Sequence, residues 1–395
     1  MNRYLIISLF AILVGFCWSC KGEDEPTPIP EPEPVGAEWI DPFFAIVLEK
    51  RGYVADAENI KPSDVRSIKY LNVGGSQEEP ELLQSLRGIE CFDSLERLNC
   101  AYNELTSLDL GKNKQLVALN CSGNQLTSLD VRINTQLLWL ECDENKITEL
   151  DVRWNAKLGV LYCRSNQLTS LDLNKNTQLV RLDCSMNPLN SLDISKHEEL
   201  VELDCIQNEL RSLNVSKNTK LELLRCQENK LQSLNVSKNT KLELLSCGDN
   251  KLQSLDVSAN TKLEHLYCEN NQLKSLDLSK STQLIYLDCD NNQLSYLDIR
   301  NTPLENLRCE KNQLNMLDLN AQIKRLNCES NKLPTLDISK SLNLSALSCR
   351  YNPGIDNRFK VLAWFDNNSV PDSFTKSEWK YNGVSVDIYY EKVNE

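Results

Sequence analysis

Cysteine recurs along most of this 395-residue chain at a nearly fixed interval. From Cys100 to Cys289 the cysteines stand 21 residues apart, and Cys309, Cys328 and Cys349 continue the series. An asparagine follows three residues after each of them, and leucines precede nearly every one by two and five residues, as in LELLSCGDNKLQSLDVSANTK. Repetition at one period restricts the chain to a solenoid, in which each structural unit packs only on its neighbours.

Leucine and cysteine alternate around the strand position of each repeat. Because alternate side chains of a strand face opposite ways, Leu245 and Cys247 are predicted to point inward, and Leu244, Ser246 and Gly248 onto a concave face. Rungs spaced about 4.8 Å apart would turn each inward position into a continuous apolar column. We therefore predict a curved stack of roughly 14 short parallel β-strands, one for each repeat.

The asparagine that follows each cysteine lies where the chain leaves the strand. Its amide can donate to a neighbouring carbonyl and accept from an N–H group. Repeated on every rung, this predicts a ladder of buried hydrogen bonds.

The unit resembles the leucine-rich repeat, whose strand carries L-x-x-L-x-L-x-x-N, with cysteine in place of the third leucine. Its 21-residue length and in-register cysteine are similar to the repeats of internalin J-type bacterial surface proteins, over residues 68–352. The resemblance implies a leucine-rich-repeat solenoid and a general role in adhesion to host or neighbouring cells. Internalin J-type proteins are attached to a Gram-positive wall by a C-terminal sorting signal, which SVDIYYEKVNE does not resemble. The likeness therefore implies no particular partner.

The N-terminus has the features of an export leader. A thirteen-residue apolar run ends at Phe16 and Ser19 precedes Cys20, an arrangement that resembles a bacterial lipoprotein leader. We expect a signal peptide at 1–19, a lipidated Cys20, and a proline-rich linker within 20–40 that adopts polyproline II. The acidic run at 23–25 resembles the surface-export tag of Bacteroides-type lipoproteins. These features predict a protein that touches a membrane only through its lipid, on the outer membrane and exposed at the cell surface.

Residues 41–67 and 353–395 are predicted to cap the two ends of the solenoid core. In the first segment Asp41 is a predicted N-cap, Pro42 occupies the first helical position and Gly52 ends the helix. The second segment alternates apolar residues around the Asn382-Gly383 pair, which predicts a β-hairpin.

Two residue types that recur in the repeat, cysteine and aspartate, each allow more than one structural interpretation. The cysteines are predicted to be buried free thiols, in preference to disulfides or metal ligands, because in-register side chains point the same way. Cys91 lies outside the register. Aspartate or asparagine also recurs in the second half of each unit, where local hydrogen bonding to the turn competes with calcium binding. These positions are 109, 130, 151, 172, 193, 214, 235, 256, 277, 298, 318 and 337.

Charge and motif content argue against several classes of function. A formal net charge of -13 disfavours contact with nucleic-acid phosphates. The two histidines, His197 and His265, are too far apart in the repeat to assist one another, and no phosphate-binding loop, dinucleotide motif or H-E-x-x-H motif occurs. We predict no enzymatic activity, no cofactor and no metal site.

Variable residues concentrate on the predicted concave face. One aromatic cluster contains Trp139, Val160 and Tyr162. A second cluster contains Leu223, Leu244, His265, Tyr267 and Tyr286. Apolar and aromatic side chains beside acidic ones are typical of protein-binding surfaces. The acidic neighbours of the second cluster are Glu269, Asp288, Asp290 and Glu310.

A protein partner, bound by a monomer, is therefore the leading expectation. Carbohydrate binding is the first alternative, since tyrosine and tryptophan platforms next to carboxylates also suit sugars. The second alternative is a structural envelope component in which these side chains merely stack along their own columns.

Overall fold

A computed structural model describes residues 37–76 and 82–393. The signal peptide, Cys20 and most of the linker lie outside the described residues, so their assignment stays a prediction. No helix within the described ranges is long and apolar enough to cross a membrane.

Short helices lie before the first cysteine of the ladder, Cys100. The α-helix α1 (Pro42–Lys50) begins after Asp41, whose side chain accepts hydrogen bonds from the backbone N–H groups of Phe43 (3.0 Å) and Phe44 (3.1 Å). Phe44 is buried and stacks on Phe92 with ring centroids 6.0 Å apart, which anchors α1 to the end of the core. The helix α2 (Pro62–Val65) and two 3-10 helices (Ala37–Trp39 and Ile89–Cys91) complete this region.

Almost every strand has three residues. The strands are β1 (Tyr70–Asn72), β2 (Arg97–Asn99), β3 (Ala118–Asn120), β4 (Trp139–Glu141), β5 (Val160–Tyr162), β6 (Arg181–Asp183), β7 (Glu202–Asp204), β8 (Leu223–Arg225), β9 (Leu244–Ser246), β10 (His265–Tyr267), β11 (Tyr286–Asp288), β12 (Tyr296–Asp298), β13 (Asn306–Arg308), β14 (Met316–Asp318), β15 (Arg325–Asn327), β16 (Thr335–Asp337), β17 (Ala346–Ser348), β18 (Arg358–Ala363), β19 (Trp379–Tyr381) and β20 (Val384–Lys392).

One 14-stranded parallel sheet runs through the repeats in the order β1 to β11, then β13, β15 and β17. Its register places each central leucine opposite the next, as Leu245 opposite Leu266. Leu245 and Cys247 are fully buried, at 0% exposure, so the predicted inward column and the predicted solenoid are confirmed. The thirteen ladder cysteines are free and buried, and several thiols donate to the backbone carbonyl of the next rung, as Cys142 Sγ to Tyr162 O at 3.5 Å.

The second half of the unit forms strands less often than its alternating sequence indicates. Only β12, β14 and β16 are strands at this position among the described residues, and they lie in the part of the solenoid where the repeat shortens. β12 pairs with β14, and β16 joins the C-terminal strands in the order β16-β18-β20-β19. β19 and β20 are antiparallel and meet at Asn382 and Gly383, which both have positive φ.

The predicted asparagine ladder is confirmed and makes more bonds than expected. In Asn250, Nδ2 donates to the carbonyls of Cys247 (3.2 Å) and, one rung earlier, Cys226 (3.0 Å), while Oδ1 accepts from Leu231 N (2.9 Å). The residue before each of these asparagines adopts a left-handed conformation, as Asp249 does with φ of 51°. Bonds to two rungs stabilise this otherwise unfavourable turn.

The recurring aspartates stabilise turns. Their side chains accept from the backbone N–H two residues later, as Asp256 does from Ser258 N at 2.9 Å. The same bond occurs at 109, 130, 151, 172, 193, 214, 235, 277, 298 and 337. Local hydrogen bonding is therefore confirmed, and no group of metal-ligating side chains is found among the described residues.

A second buried column, which the sequence analysis did not single out, runs along the convex side. Asn239 Nδ2 donates there to the carbonyls of Val215 (3.0 Å) and Asn218 (2.8 Å). His197 occupies the equivalent place and is 1% exposed, with Nε2 3.2 Å from the carbonyl oxygen of Leu173. Burial lowers the pKa of its imidazole.

Candidate functional site

The concave face carries the side chains at the first and third position of every strand. Parallel pairing places Leu223, Leu244, His265 and Tyr286 in one in-register column over four rungs. Tyr267, at the third position of β10, lies beside the end of that column. We call these five residues the concave stripe.

The aromatic end of the concave stripe is closely packed yet partly open to solvent. The rings of Tyr267 and Tyr286 lie 5.0 Å apart and tilted, and those of His265 and Tyr286 are 6.3 Å apart. All three side chains are half-buried. Burial raises the pKa of both tyrosine hydroxyls, so they remain neutral donors and acceptors at ordinary pH. The predicted second cluster is thus brought together on one surface.

The acidic neighbours of the stripe are more buried than a solvated rim would be. Asp290 is only 6% exposed and accepts from Arg308 Nη2 at 2.6 Å, while Arg308 Nε lies 2.9 Å from Asp288. Burial raises the pKa of Asp290 to about 6 despite this arginine. These two aspartates are therefore not solvated, because the arginine of the next strand in the sheet covers them.

The side chain of Glu269 fills the space left free because residue 248 is a glycine. A Cβ on Gly248 would lie 2.2 Å from Glu269 Oε1, so the carboxylate rests directly over this glycine. Its Oε2 is out of contact with solvent and has no hydrogen-bond donor among the described residues. Burial, with a smaller contribution from Asp288, raises the pKa of this carboxyl to about 7. The site thus contains a carboxylate that lacks a counter-charge.

The first predicted cluster is smaller than expected. The rings of Trp139 and Tyr162 meet edge to face at 5.8 Å, and Trp139 Nε1 donates to Glu141 at 2.8 Å. Val160, predicted to be part of this surface, is 1% exposed and belongs to the core. Its position in the register lies between Trp139 and Arg181, whose larger side chains cover it.

Charged side chains separate the two clusters. Arg181 lies 3.4 Å from Glu202, and Arg225 lies 3.0 Å from Asp204. Burial raises the pKa of Asp204 to about 6 although Arg225 lies beside it. Because these ion pairs interrupt the aromatic side chains, the two clusters are distinct surfaces.

A row of glutamates along the outer side of the stripe was missed by the sequence analysis. Glu222, Glu243 and Glu264 immediately precede Leu223, Leu244 and His265, and stand on consecutive rungs. Their identical place in three adjacent repeats was the signal that could have revealed them. The stripe therefore has carboxylates on both sides.

The histidines and the ladder cysteines occupy separate places in the fold. His197 lies in the convex column and His265 in the stripe, so no element brings the two imidazoles together. The ladder thiols are buried, which raises their pKa and disfavours the reactive thiolate.

Similarity to known proteins was found among solved structures. No protein-family model and no curated protein matches the chain. A structure described as the functional domain of InlJ from Listeria monocytogenes, which includes a cysteine ladder, is 30% identical. It aligns with 85% of this chain and 83% of that chain, at a TM-score of 0.69.

Two further structures share the fold. An internalin, inlF, from the same species is 23% identical, with 80% of this chain and 96% of that chain aligned and a TM-score of 0.70. The ectodomain of an Arabidopsis thaliana receptor kinase, solved in complex with CASPARIAN STRIP INTEGRITY FACTOR 2, is 21% identical at a TM-score of 0.60. Its alignment covers 72% of this chain and 38% of that chain.

Leucine-lined parallel rungs, an asparagine ladder and a variable concave face define a leucine-rich-repeat protein. The cysteine column and the similarity to InlJ narrow this class further, and the chain belongs to the internalin-type leucine-rich-repeat family.

Proposed function

We propose that this protein is a non-enzymatic surface lipoprotein that binds a protein partner through its concave stripe, in adhesion to a host or neighbouring cell. The observation that carries the proposal is the tyrosine pair, Tyr267 and Tyr286, 5.0 Å apart on a half-buried apolar column. Tyrosine on a partly desolvated surface is enriched among the residues that dominate protein–protein binding. The Arabidopsis thaliana ectodomain of the same fold was solved in complex with CASPARIAN STRIP INTEGRITY FACTOR 2, which supports this class of partner.

The membrane part of the proposal rests on the leader sequence. Cys20 and the acidic run after it support a lipid anchor and export to the outer surface. Metabolic labelling with a palmitate analogue tests this directly. We expect label on the parent chain and none on Cys20→Ser, whereas equal labelling of both would contradict the anchor.

The binding role is tested with the soluble chain from Lys21 onward, which keeps every residue that the structure describes. Chemical cross-linking in envelope and host-surface extracts should capture a partner with the parent chain. Tyr267→Ser combined with Tyr286→Ser should lose that partner. Tyr70→Ser combined with Tyr351→Ser is the matched control, because both tyrosines are exposed and lie outside the stripe.

Capture by both double variants alike would place the partner elsewhere. Capture of nothing by any folded chain would contradict the protein-binding role. A glycan array then separates the carbohydrate alternative from a purely structural role.

A further inference from the structure

The concave stripe has a charge distribution that restricts what can dock on it. Its apolar column spans four rungs from Leu223 to Tyr286, or about 14 Å at the usual strand spacing. One row of carboxylates follows each side of that column. A partner that covers the apolar residues must therefore also lie against both rows.

The outer row is formed by Glu222, Glu243 and Glu264. None of the three makes an ion pair with a described residue. Lysines such as Lys241 and Lys262 precede this row by two residues, and they too form no ion pair with it within the described ranges. Glu243 is exposed and Glu222 and Glu264 are half-buried, and no cation among the described residues pairs with this outer row.

The inner row is formed by Glu269, Asp288 and Asp290. Arg308 lies against the two aspartates but not against Glu269, whose Oε2 has no donor among the described residues. The other arginine of these rungs, Arg225, is held by Asp204 at 3.0 Å. Negative charge therefore exceeds positive charge on the inner side as well.

The tyrosine pair adds a third attraction for a cation. Aromatic faces attract ammonium and guanidinium groups, and more strongly where water is partly excluded. Tyr267 and Tyr286 form the end of the stripe that lies nearest the inner row, and both are half-buried. Apolar surface, aromatic faces and unpaired carboxylates here favour one kind of side chain, the lysine or arginine with its long apolar stem.

We propose that the occupant of the concave stripe is a lysine- or arginine-rich protein segment. Its apolar side chains would lie on Leu223 and Leu244, and its cations against the two carboxylate rows. This inference rests on the proposed binding function and specifies the chemistry of the partner. A segment of roughly nine or ten helical residues would span the stripe, since a helix rises about 1.5 Å per residue.

The experiment uses the soluble chain from Lys21 onward and two synthetic peptides of roughly ten residues, the length of the stripe. One peptide has leucine and lysine in the amphipathic helical pattern LKKLLKKLLK, and the other has glutamate in place of every lysine. Glu243, Glu264 and Glu269 are changed together to glutamine, which keeps the shape and removes the charge. A control variant carries three other glutamate-to-glutamine changes, at Glu58, Glu149 and Glu198. These three glutamates are exposed and lie away from the stripe. Affinity is measured by fluorescence anisotropy at low and high salt.

We expect the lysine peptide to bind the parent chain and the glutamate peptide not to bind. The stripe triple should weaken lysine-peptide binding by about tenfold, and the control triple by less than about twofold, since distant surface charges act weakly. Added salt should weaken binding to the parent more than to the stripe triple.

Equal weakening by the two triples would show attraction to overall charge and overturn the proposal. No binding of the lysine peptide to the parent would overturn it as well. The binding function itself is tested separately, by the cross-linking experiment with the tyrosine variants. If a captured partner depends on Tyr267 and Tyr286 but binds the stripe triple normally, the function stands and the cationic partner is wrong.

Discussion

Glu269 shows how one residue on the concave face can oppose folding while preparing a surface for binding. The carboxylate lies over Gly248 without a donor for Oε2, and its pKa is about 7 in the folded chain against 4.5 for an ordinary glutamate. The folded state therefore binds more protons than the unfolded state between pH 4.5 and about 7. Stability contributed by the protonated form is lost as the pH rises through this window.

Replacing Glu269 with glutamine should remove that loss. We expect Glu269→Gln to be more stable than the parent at pH 8 by about 1 kcal/mol, a value reduced by solvent screening of this partly open group. The difference should shrink below pH 5. Urea unfolding of both chains at the two pH values measures it, with Glu149→Gln as an exposed control. A parent chain that matches or exceeds the variant at pH 8 would contradict the assigned environment.

His197 is the second residue whose place predicts a pH effect. Asn218, at the same column position, donates to two carbonyls of the preceding rung, whereas Nε2 of His197 lies 3.2 Å from the Leu173 carbonyl oxygen. We expect His197→Asn to add a bond to Asn176 O and stabilise the fold by about 1 kcal/mol at pH 7.5. Because the folded pKa of His197 is lowered, the parent loses stability as the pH falls below 6.5, so the advantage should widen there.

The reverse change provides the control for this column. Asn218→His should destabilise the chain and introduce the same loss of stability in acid, as thermal melts between pH 5 and 8 would show. An unchanged melting temperature in both variants would mean that the column hydrogen bonds contribute nothing.

At the scale of the element, the asparagine ladder connects each three-residue strand to the one before it. Asn250 bonds to carbonyls on two rungs and accepts from Leu231 N, all within the buried turn. We expect Asn250→Ala to destabilise the protein by about 1 to 3 kcal/mol, because several buried polar groups lose their partners. Asn235→Ala, which removes one exposed turn bond to Ser237 N, should cost less than about 1 kcal/mol. Chemical denaturation measures the free energy of unfolding of both variants. Equal losses of stability would contradict the role of the ladder.

Sequence periodicity is sufficient to predict the elements that repeat. Leu245, Cys247 and Asn250 occupy the places that alternation and the leucine-rich-repeat resemblance assign to them. In the second half of the unit the sequence alone does not distinguish a strand from a turn, because alternation of Leu108 and Leu110 around Asp109 is equally compatible with a turn closed by the aspartate. The choice between a strand and a turn depends on contacts with the neighbouring rung, which the local sequence pattern does not reveal.

Burial on the concave face was the least predictable feature. Val160 is covered by the larger side chains on either side of it, and Asp290 by Arg308 from the next strand in the sheet. Such contacts depend on which rungs become neighbours and how long their side chains are. The stripe and the acidic residues on its inner side were found from the strand alternation alone, but the burial of those acidic residues required the register.

At the scale of the whole molecule, the repeats form one uninterrupted parallel sheet whose neighbours are consecutive rungs. Stability in such a stack is close to a sum of rung and interface terms. Convex and inward positions are occupied by ladders that repeat with little change, whereas the concave positions vary from rung to rung. Variation confined to one face is the arrangement expected of a scaffold that presents a binding surface.

The most direct test of that claim is site-specific photo-cross-linking of the chain in its native envelope. A benzophenone amino acid is placed at Leu244 in the concave stripe or at Glu198 on a convex connector, and cross-linked adducts are compared. We predict a protein adduct from position 244 and none from position 198. Adducts from position 198 alone, or equally from both, would contradict a concave binding site.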